Sequence, residues 1–557
     1  MLFDEINQVV LELESKQRFH RIGDEDSPWI YDSYSHNIYS LNSNLIKEAL
    51  LKKSLNAVIE HSIDENIDFL NFCKSIKDSS KDIVNPIPVD SKCSVMINTS
   101  NRCNLNCLYC YRCKSEASVN NVETIKKTLE FAMKKYKPEA SEYVISYSMT
   151  SESSLDLQIL KQVADEYINF ENYQFNNTDL DDSLFDEFYL LLKKDFETDK
   201  KFSFPSKNKT QVINFLNSLL SMRDLFDILN LSESLFTEND LNEIRKRNIL
   251  AKWRVYRLNR WCLEKRYNKY IRLRKVPWVT FWFMTNGTCA SDEFIDFVKA
   301  CDINPLWISL DGPQKVHDAN RKFMNGKGSY EEIVKNIKIL RAKGLNLKAS
   351  SVITSVFPKP LAIINHLQAL GFNEVALTPV RPGYDCSFNE NNVEALLDGY
   401  DEIFTALAKG AIRNDFRLFH LLKDDLSLNA FNAFSQKIKM AKRCPFDDQL
   451  VVNSKGDIYP CLYFTGNKDF CYGNINKRFN GKKFSKNLYI SNRGDCKECW
   501  ARYLCGGTCF YGSYAATGNY LSIDPIECKI KKHLAEKCLK LIVFLYEHNI
   551  PIERVFN

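Results

Sequence analysis

Three cysteines in the run CNLNCLYC, Cys103, Cys107 and Cys110, have the types and spacing that most directly imply chemistry. Three thiolates this close can hold three corners of a [4Fe–4S] cluster and leave the fourth iron without a protein ligand. An iron with an open position can bind a small molecule and pass it an electron. Zinc also takes clustered cysteines, but a structural zinc ion wants four ligands, usually as two pairs, and C-x3-C-x2-C supplies three. Tyr109, just before the last cysteine, suits a cofactor laid over such a cluster.

Seven of the nine cysteines from Cys444 onward form a second pattern. Cys444 is followed by eleven residues, Gly456, four more and then Cys461. The run CKECWARYLCGGTC then places Cys496, Cys499, Cys505 and Cys509 at C-x2-C-x5-C-x3-C, and Cys528 follows. One zinc ribbon needs four ligands, so seven imply two metal centres, or one with spares. Gly506 and Gly507 let the backbone approach a cluster closely. This second pattern alone leaves zinc open; beside the first triad it favours iron–sulfur.

The rest of the composition narrows the class. A chain of 557 residues with 45% apolar content can build three or four structural units. Its 75 basic and 70 acidic residues leave a net charge of +5, and nothing global points to nucleic acid. The 19 cysteines are an odd number, and the start, MLFDEINQVVLELESKQ, is acidic and amphipathic, unlike a signal peptide. No apolar run reaches membrane-spanning length. Cysteines at metal spacing then read as ligands kept in a reducing, cytoplasmic compartment.

The elements that position these residues follow from periodicity. Residues 1–90 form a separate unit, with WIYDSYSHNIYSLN (29–42) reading as a hairpin, two helical patterns after it and a linker at Pro86 and Pro88. From Cys93 strands alternate with amphipathic helices. The strand candidates are CSVMIN (93–98), EYVISY (142–147), WVTFWFM (278–284), PLWISL (305–310), LKASSVIT (347–354) and EVALTP (374–379). Six such units imply an α/β fold, a partial (β/α)6 TIM-like barrel over residues 91–385, with chemistry at the carboxyl ends of its strands. A mostly helical insertion, about 171–275, interrupts it. Its early part is acidic (DLDDSLFDEF), whereas Arg245 to Lys275 holds thirteen Lys/Arg and one Glu. Ile249, Trp253, Tyr256, Leu263, Tyr267 and Tyr270 fall on one helical face. A basic face that is solvated or pairs with the acidic segment is favoured over a docking surface for an acidic peptide.

With both cysteine patterns in this order, residues 93 to about 535 resemble a radical S-adenosylmethionine (SAM) enzyme with a C-terminal SPASM domain, here residues 386–557. The resemblance implies that Cys103, Cys107 and Cys110 hold the SAM-cleaving cluster and that Tyr109 contacts the adenine. It implies one auxiliary cluster on Cys444, Cys461 and Cys509 and another on Cys496, Cys499, Cys505 and Cys528. ISLDGPQKVHDANR is similar to the family's fourth-strand segment, where Ser309 reaches the ribose or carboxylate of SAM and Arg321 its carboxylate, a task suited to a guanidinium fork. MTNGT (284–288) resembles the loop after the third strand.

Two departures stand out. Where the family has Gly-Gly-Glu-Pro to bind the SAM amino group, this chain has Thr150-Ser151-Glu152-Ser153. Glu152 keeps the charge, and the backbone must avoid positive φ or lend the task to hydroxyls. The similar anaerobic sulfatase maturases carry a basic Asp where this chain has Leu462, and an extra cysteine near Lys442 and Arg443. The first auxiliary cluster then has three ligands, or recruits Cys471 or Cys386. The N-terminal unit resembles a winged-helix element that binds a leader peptide as an added strand.

The resemblance as a whole implies a ribosomally made, Cys-containing precursor peptide as substrate, thioether crosslinking as the favoured outcome, and a reduced ferredoxin or flavodoxin as electron donor. No nucleic acid or membrane partner is expected. Formylglycine formation on a sulfatase, and a non-enzymatic iron–sulfur or zinc module, are the alternatives.

Overall fold

A computed structural model describes residues 19–23, 27, 29–33, 35–40, 92–97, 102–111, 122–137, 140, 142–147, 151–165, 182–200, 202–222, 252–270, 278–477, 479–481 and 488–555. Three short strands come first: β1 (Phe19–Arg21), β2 (Trp29–Asp32) and β3 (Asn37–Ser40). The expected hairpin is β2 with β3, and β1 completes a three-stranded antiparallel sheet. Trp29 Nε1 donates to Glu547 at 2.9 Å, and the His20 ring stacks on Trp500 at 3.6 Å, so this sheet is seated on the C-terminal part of the chain. The helical patterns and the linker expected after the hairpin lie outside the described residues.

The central strands are β4 (Lys92–Ile97), β6 (Glu142–Tyr147), β7 (Trp278–Thr285), β8 (Leu306–Ser309), β10 (Leu347–Ile353) and β11 (Glu374–Pro379). The strands β6 and β11 match the sequence runs residue for residue, and the other four shift by one residue at one or both ends. Two three-residue strands, β5 (Leu105–Cys107) and β9 (Arg321–Phe323), pair separately. Neighbours from β4 to β11 run parallel in sequence order. Parallel neighbours require crossovers, and helices Val122–Phe131, Asp292–Ala300, Tyr330–Ala342 and Pro360–Ala369 supply four of them. The architecture is mixed α/β around a large parallel sheet.

The sheet extends further than the sequence indicates. Among the described residues, nine strands share it, in the order β11-β10-β8-β7-β6-β4-β12-β13-β14, where β12 is Gln449–Val452, β13 Asp457–Tyr459 and β14 Gly473–Asn474. The strand β12 runs parallel to β4. Sequence reading missed it because four residues, all buried, are too short to display a period.

The insertion contributes helices Phe185–Phe196, Lys209–Leu220 and Lys252–Tyr267. Tyr256, Leu263 and Tyr267 are buried, so the aromatic face seen in the sequence is a packing face; Ile249 and the Trp253 side chain lie outside the described residues. Asn259 donates to the carbonyls of Leu219, Leu220 and Met222, closing the end of the preceding helix. Arg266 and Tyr267 bond to Asp195, and Lys269 and Tyr270 to Glu187. The basic segment thus pairs with its acidic neighbour. Cys93, Cys262, Cys301 and Cys538 are buried in the core.

Candidate active site

The carboxyl ends of the parallel strands surround a cavity of about 330 Å3. Cys103, Cys107, Tyr109 and Cys110 form part of its wall, on the loop after β4. Ser151 and Glu152 reach it from the loop after β6, Ser309 from the end of β8, and Arg321 from β9. Thr150 lies outside the described residues. The other candidate cofactor residues, separated by up to about two hundred positions in sequence, therefore line one space.

Glu152 is buried and tightly held. Its Oε1 accepts from Ser154 Oγ at 2.5 Å and Thr285 Oγ1 at 2.7 Å, and its Oε2 from the Asn286 N–H at 2.6 Å. Burial nonetheless pushes its carboxyl pKa up, against the hydrogen bonds that lower it. No cation pairs with it among the described residues, so a positive group entering the cavity would meet an uncompensated carboxylate. Glu152 sits at φ −100°, extended backbone that any L-residue adopts. Hydroxyls of Ser154 and Thr285 do the bonding.

Asn286 ties this loop to the cysteine loop. Its Nδ2 donates to Asn104 Oδ1 at 2.8 Å, and its Oδ1 accepts from the N–H and the hydroxyl of Thr288. Gly287 follows at φ +79°, where a Cβ would stand 2.9 Å from Ile333 Cγ2 and 3.0 Å from Ile308 Cγ2. A glycine is required there on both counts.

On the opposite wall the Tyr109 hydroxyl donates to Asp311 Oδ2 and accepts from Arg321 Nη1 at 3.1 Å. Asp311 is fully buried and also accepts from Asn320 and the Val352 N–H. Burial raises its pKa despite the nearby Arg321. Behind Arg321, His317 Nδ1 accepts from the Asp311 N–H at 3.2 Å, Nε2 lies 2.9 Å from Ser329 Oγ, and that hydroxyl donates to the Arg321 carbonyl at 2.7 Å. Both ring nitrogens are thereby satisfied in the neutral form, and burial holds the His317 pKa down to about 3. Arg321 Nε is shut off from solvent and has no partner, an orphaned donor that a carboxylate in the cavity would satisfy.

The C-terminal cysteines fall into two neighbourhoods. Burial and mutual repulsion of the sulfurs raise the thiol of Cys461, with Cys509 and Cys444 as its charged neighbours. The same causes push Cys496 up to about 11, with Cys505, Cys528 and Cys499 beside it. Among the described residues no three Cys, His, Asp or Glu side chains converge as ligands of a single metal ion; a [4Fe–4S] cluster instead places each thiolate on its own iron. Cys471 bonds to the Gly473 carbonyl at 3.3 Å, and Cys386 lies near Asp311 and Asp385. Gly506, at φ +67°, would place a Cβ 3.1 Å from the Lys442 backbone, so the chain passes closely there.

Several further residues line the cavity, and apart from Leu462 they carry no sequence signal. Leu462 and Tyr463 line it from beside Cys461, and Tyr111 and Tyr463 rings meet at 4.2 Å. Arg381, just beyond β11, lines it too, stands 3.6 Å from Glu527 and has an orphaned Nε. An acid or arginine following a strand is common, and only the fold reveals that these face a site. The residues present fit a cluster with SAM: thiols, an uncompensated carboxylate for an ammonium, and a free guanidinium nitrogen for a carboxylate.

Comparison with known proteins agrees. No protein-family model matches the chain. The serine-type anaerobic sulfatase-maturating enzyme of Bacteroides thetaiotaomicron is 23% identical over 262 residues, covering 42% of this chain and 62% of that enzyme, so the match spans less than two thirds of its length. The cysteine-type anaerobic sulfatase-maturating enzyme of Clostridium novyi is 24% identical over 283 residues, 48% of this chain and 73% of its own. A solved structure of native anSMEcpe with bound AdoMet and Cp18Cys peptide aligns with a TM-score of 0.52 at 14% identity, over 82% of this chain and 99% of that one. At that identity the fold is what is shared. Homologues of this chain are anaerobic maturating enzymes, in keeping with the radical SAM resemblance read from its cysteines.

Proposed function

We propose that this chain is a radical SAM enzyme of the SPASM type that modifies a peptide. The observation that carries the reading is the single cavity shared by Cys103, Cys107, Cys110, Glu152 and Arg321. In this reading the parallel strands form a partial barrel over 91–385, residues 386–557 form the SPASM domain, and 1–90 recognise a leader peptide. Cys103, Cys107 and Cys110 would hold a cluster, which would supply the one-electron reduction that cleaves SAM for hydrogen abstraction from the peptide.

The chain's own residues bind and orient. Glu152 takes the SAM ammonium, the orphaned Nε of Arg321 takes its carboxylate, and Ser309 stands at the end of β8 for the ribose or carboxylate. Tyr109, fixed by Asp311 and Arg321, presents its ring rather than a free hydroxyl to the cavity. Tyr111, Tyr384 and Tyr463 wall the side towards Cys461 and exclude water from it.

For substrate we favour a Cys-containing, ribosomally made peptide and a thioether link, with Cys444, Cys461 and Cys509 holding an auxiliary cluster that has room for a substrate thiolate. Cys496, Cys499, Cys505 and Cys528 hold the second. Formylglycine formation is the second reading, favoured by the sequence likeness to sulfatase-maturating enzymes. Against it, the side chain lining the cavity after Cys461 is Leu462, which cannot accept a proton.

The test is anaerobic co-expression with a small peptide encoded beside the gene, read by intact mass. Loss of two hydrogens per link, abolished by Cys107→Ala, supports the crosslinking reading. An unchanged peptide with formylglycine appearing on a sulfatase peptide moves the assignment to the second. Absence of 5′-deoxyadenosine from the reconstituted enzyme with SAM and a strong reductant refutes both.

A further inference from the structure

Besides its thiols, the cavity wall carries three charged side chains among the described residues, Glu152, Arg321 and Arg381. Glu152 and Arg321 match the ammonium and the carboxylate of the methionine moiety of SAM, which leaves Arg381 over. Arg381 follows β11, and its backbone is pinned. The Val380 N–H donates to the Ile353 carbonyl at 2.9 Å, and the Arg381 carbonyl accepts from Ser387 Oγ at 2.7 Å. The side chain therefore starts from a fixed point, and less freedom is lost when it holds a ligand.

The carboxylates behind Arg381 neutralise it only in part. Arg381 also lines a second, smaller pocket of about 80 Å3, together with Arg443, Asp524 and Glu527. Its Nη1 stands 3.6 Å from Glu527 Oε2, beyond hydrogen-bond distance. That carboxylate is already engaged: Oε2 accepts from the Cys509 N–H at 2.9 Å, and Oε1 lies 3.1 Å from Lys531 Nζ. Asp524 is engaged too, capping the helix Pro525–Glu547 through the N–H groups of Ile526 and Glu527. Arg381 Nε is shut off from solvent and has no partner. Yet 23% of the side chain is accessible, so a group entering the cavity can reach the guanidinium. A guanidinium with an unfilled donor and a shared counter-ion favours an anion over a neutral carbonyl.

We infer that Arg381 is a specificity-determining residue that binds a carboxylate of the peptide substrate, from an Asp or Glu side chain or from the peptide's C-terminus. The inference rests on the peptide-modifying radical SAM reading above, and it narrows the substrate to peptides with a carboxylate near the residue that reacts. Tyr463 lines the cavity next to Leu462 and stands beside Arg381. The aromatic surroundings strengthen a charge-assisted hydrogen bond made there. A carboxylate held at this wall sets which part of the peptide faces Glu152 and Arg321, and so which carbon lies nearest SAM.

The test uses the reconstituted full-length enzyme, loaded with SAM, and the small peptide encoded beside the gene. Peptide variants change each Asp and Glu singly to Asn or Gln, and one more carries an amidated C-terminus. Each is titrated against the unaltered enzyme, Arg381→Gln and Arg381→Lys. One carboxylate-to-amide change is expected to weaken binding to the unaltered enzyme about tenfold, and Arg381→Gln to weaken binding of the unaltered peptide by about as much. The two changes together should weaken it no further than either alone, the signature of a shared contact. Arg381→Lys should recover part of the affinity. The peptide variant that shows the coupling tells a side chain from the C-terminus. Additive losses for every carboxylate overturn the inference, as does failure of the peptide to bind the unaltered enzyme. A fall in iron content or SAM affinity in both arginine variants also overturns it, because Arg381 would then be serving the cluster near Cys461 or SAM itself. If the unaltered enzyme forms no 5′-deoxyadenosine from SAM with dithionite, the radical SAM reading fails instead, and the binding cycle still decides the carboxylate contact.

Discussion

Cys107 and Arg321 stand directly opposite one another across the antiparallel pair of β5 and β9. The guanidinium favours the thiolate, but burial outweighs it and pushes the Cys107 pKa up to about 11. In the metal-free protein Cys107 is therefore a thiol near neutral pH, and iron must displace its proton. The same arginine has a buried Nε without a partner. Arg321→Ala is expected to weaken SAM binding by about 1.5–3 kcal/mol, roughly 10- to 100-fold, the range for a hydrogen bond to a charged group. Arg321→Lys keeps the charge without the fork, so it should not restore SAM affinity. Equal SAM affinity in the lysine variant and the unaltered enzyme would refute the assigned role.

Glu152 gives a prediction whose sign depends on the ligand. Its folded pKa is raised above the ordinary 4.5 by burial, so the folded state binds more protons than the unfolded state just above that value. The stability this contributes is present below pH 4.5 and lost as pH rises through the raised pKa. In ligand-free protein, Glu152→Gln should therefore gain on the unaltered protein as pH rises from about 5 to 8, read by thermal melting. The stabilisation by added SAM should disappear in the same variant. Retained SAM stabilisation in Glu152→Gln would rule out an ammonium contact.

His317 carries the opposite dependence. Its pKa falls from 6.5 to about 3 on folding, so the unfolded chain binds the extra proton between those values. The stability is complete above pH 6.5 and is lost as pH falls towards 3. His317→Gln also breaks the chain from the Asp311 N–H through Ser329 to the Arg321 carbonyl. It should destabilise the protein by about 2–3 kcal/mol near pH 7, and the gap should narrow as the pH is lowered to 4. A pH-independent gap in denaturation midpoints would count against the neutral, doubly bonded ring.

The cysteine triad and the strands around it were legible because spacing and period are local properties. EYVISY and EVALTP alternate or run apolar between breakers, and the three thiols fall within eight residues. Glu152 was legible only as the surviving charge of an altered motif, and its hydroxyl partners are Ser154 beside it and Thr285 at the end of β7. Arg381 is recognisable only when a distant element brings it to the cavity, and Asp311 and His317 only through the bonds they make behind its wall. A three-residue strand such as β9 has no period to read, yet it puts Arg321 opposite Cys107.

Gly287 should tolerate no side chain. Gly287→Ala combines φ +79° with a Cβ at 2.9 Å from Ile333 and 3.0 Å from Ile308. Left-handed backbone at a non-glycine residue costs about 1–2 kcal/mol, and overpacking adds about 1–3. The expected loss is about 2–5 kcal/mol. Relief of the clash also displaces Asn286, whose N–H binds Glu152. Lower SAM affinity should therefore accompany the lower melting temperature. A variant with unaltered melting and SAM binding would mean that the loop after β7 does not need a glycine at this position.

Arg493 organises the C-terminal cysteines without touching the cavity. It is 1% exposed and donates to the carbonyls of Thr508, Leu521 and Ser522 and to the hydroxyls of Thr508 and Ser513. Its guanidinium also lies 4.8 Å from the Phe510 ring. These bonds fix the backbone on both sides of Cys509 from a residue three positions before Cys496. Arg493→Ala leaves several buried acceptors without a donor and should cost about 3–5 kcal/mol. Arg493→Lys reaches fewer acceptors and should recover part of that. Because the arginine is remote from Cys103, Cys107 and Cys110, Arg493→Ala should lose iron from the C-terminal sets first and retain the iron nearest SAM. Iron per chain, with electron paramagnetic resonance of the reduced protein before and after SAM addition, separates the two pools. Full iron content with an unshifted melting temperature would show that the C-terminal loop holds its shape without this arginine.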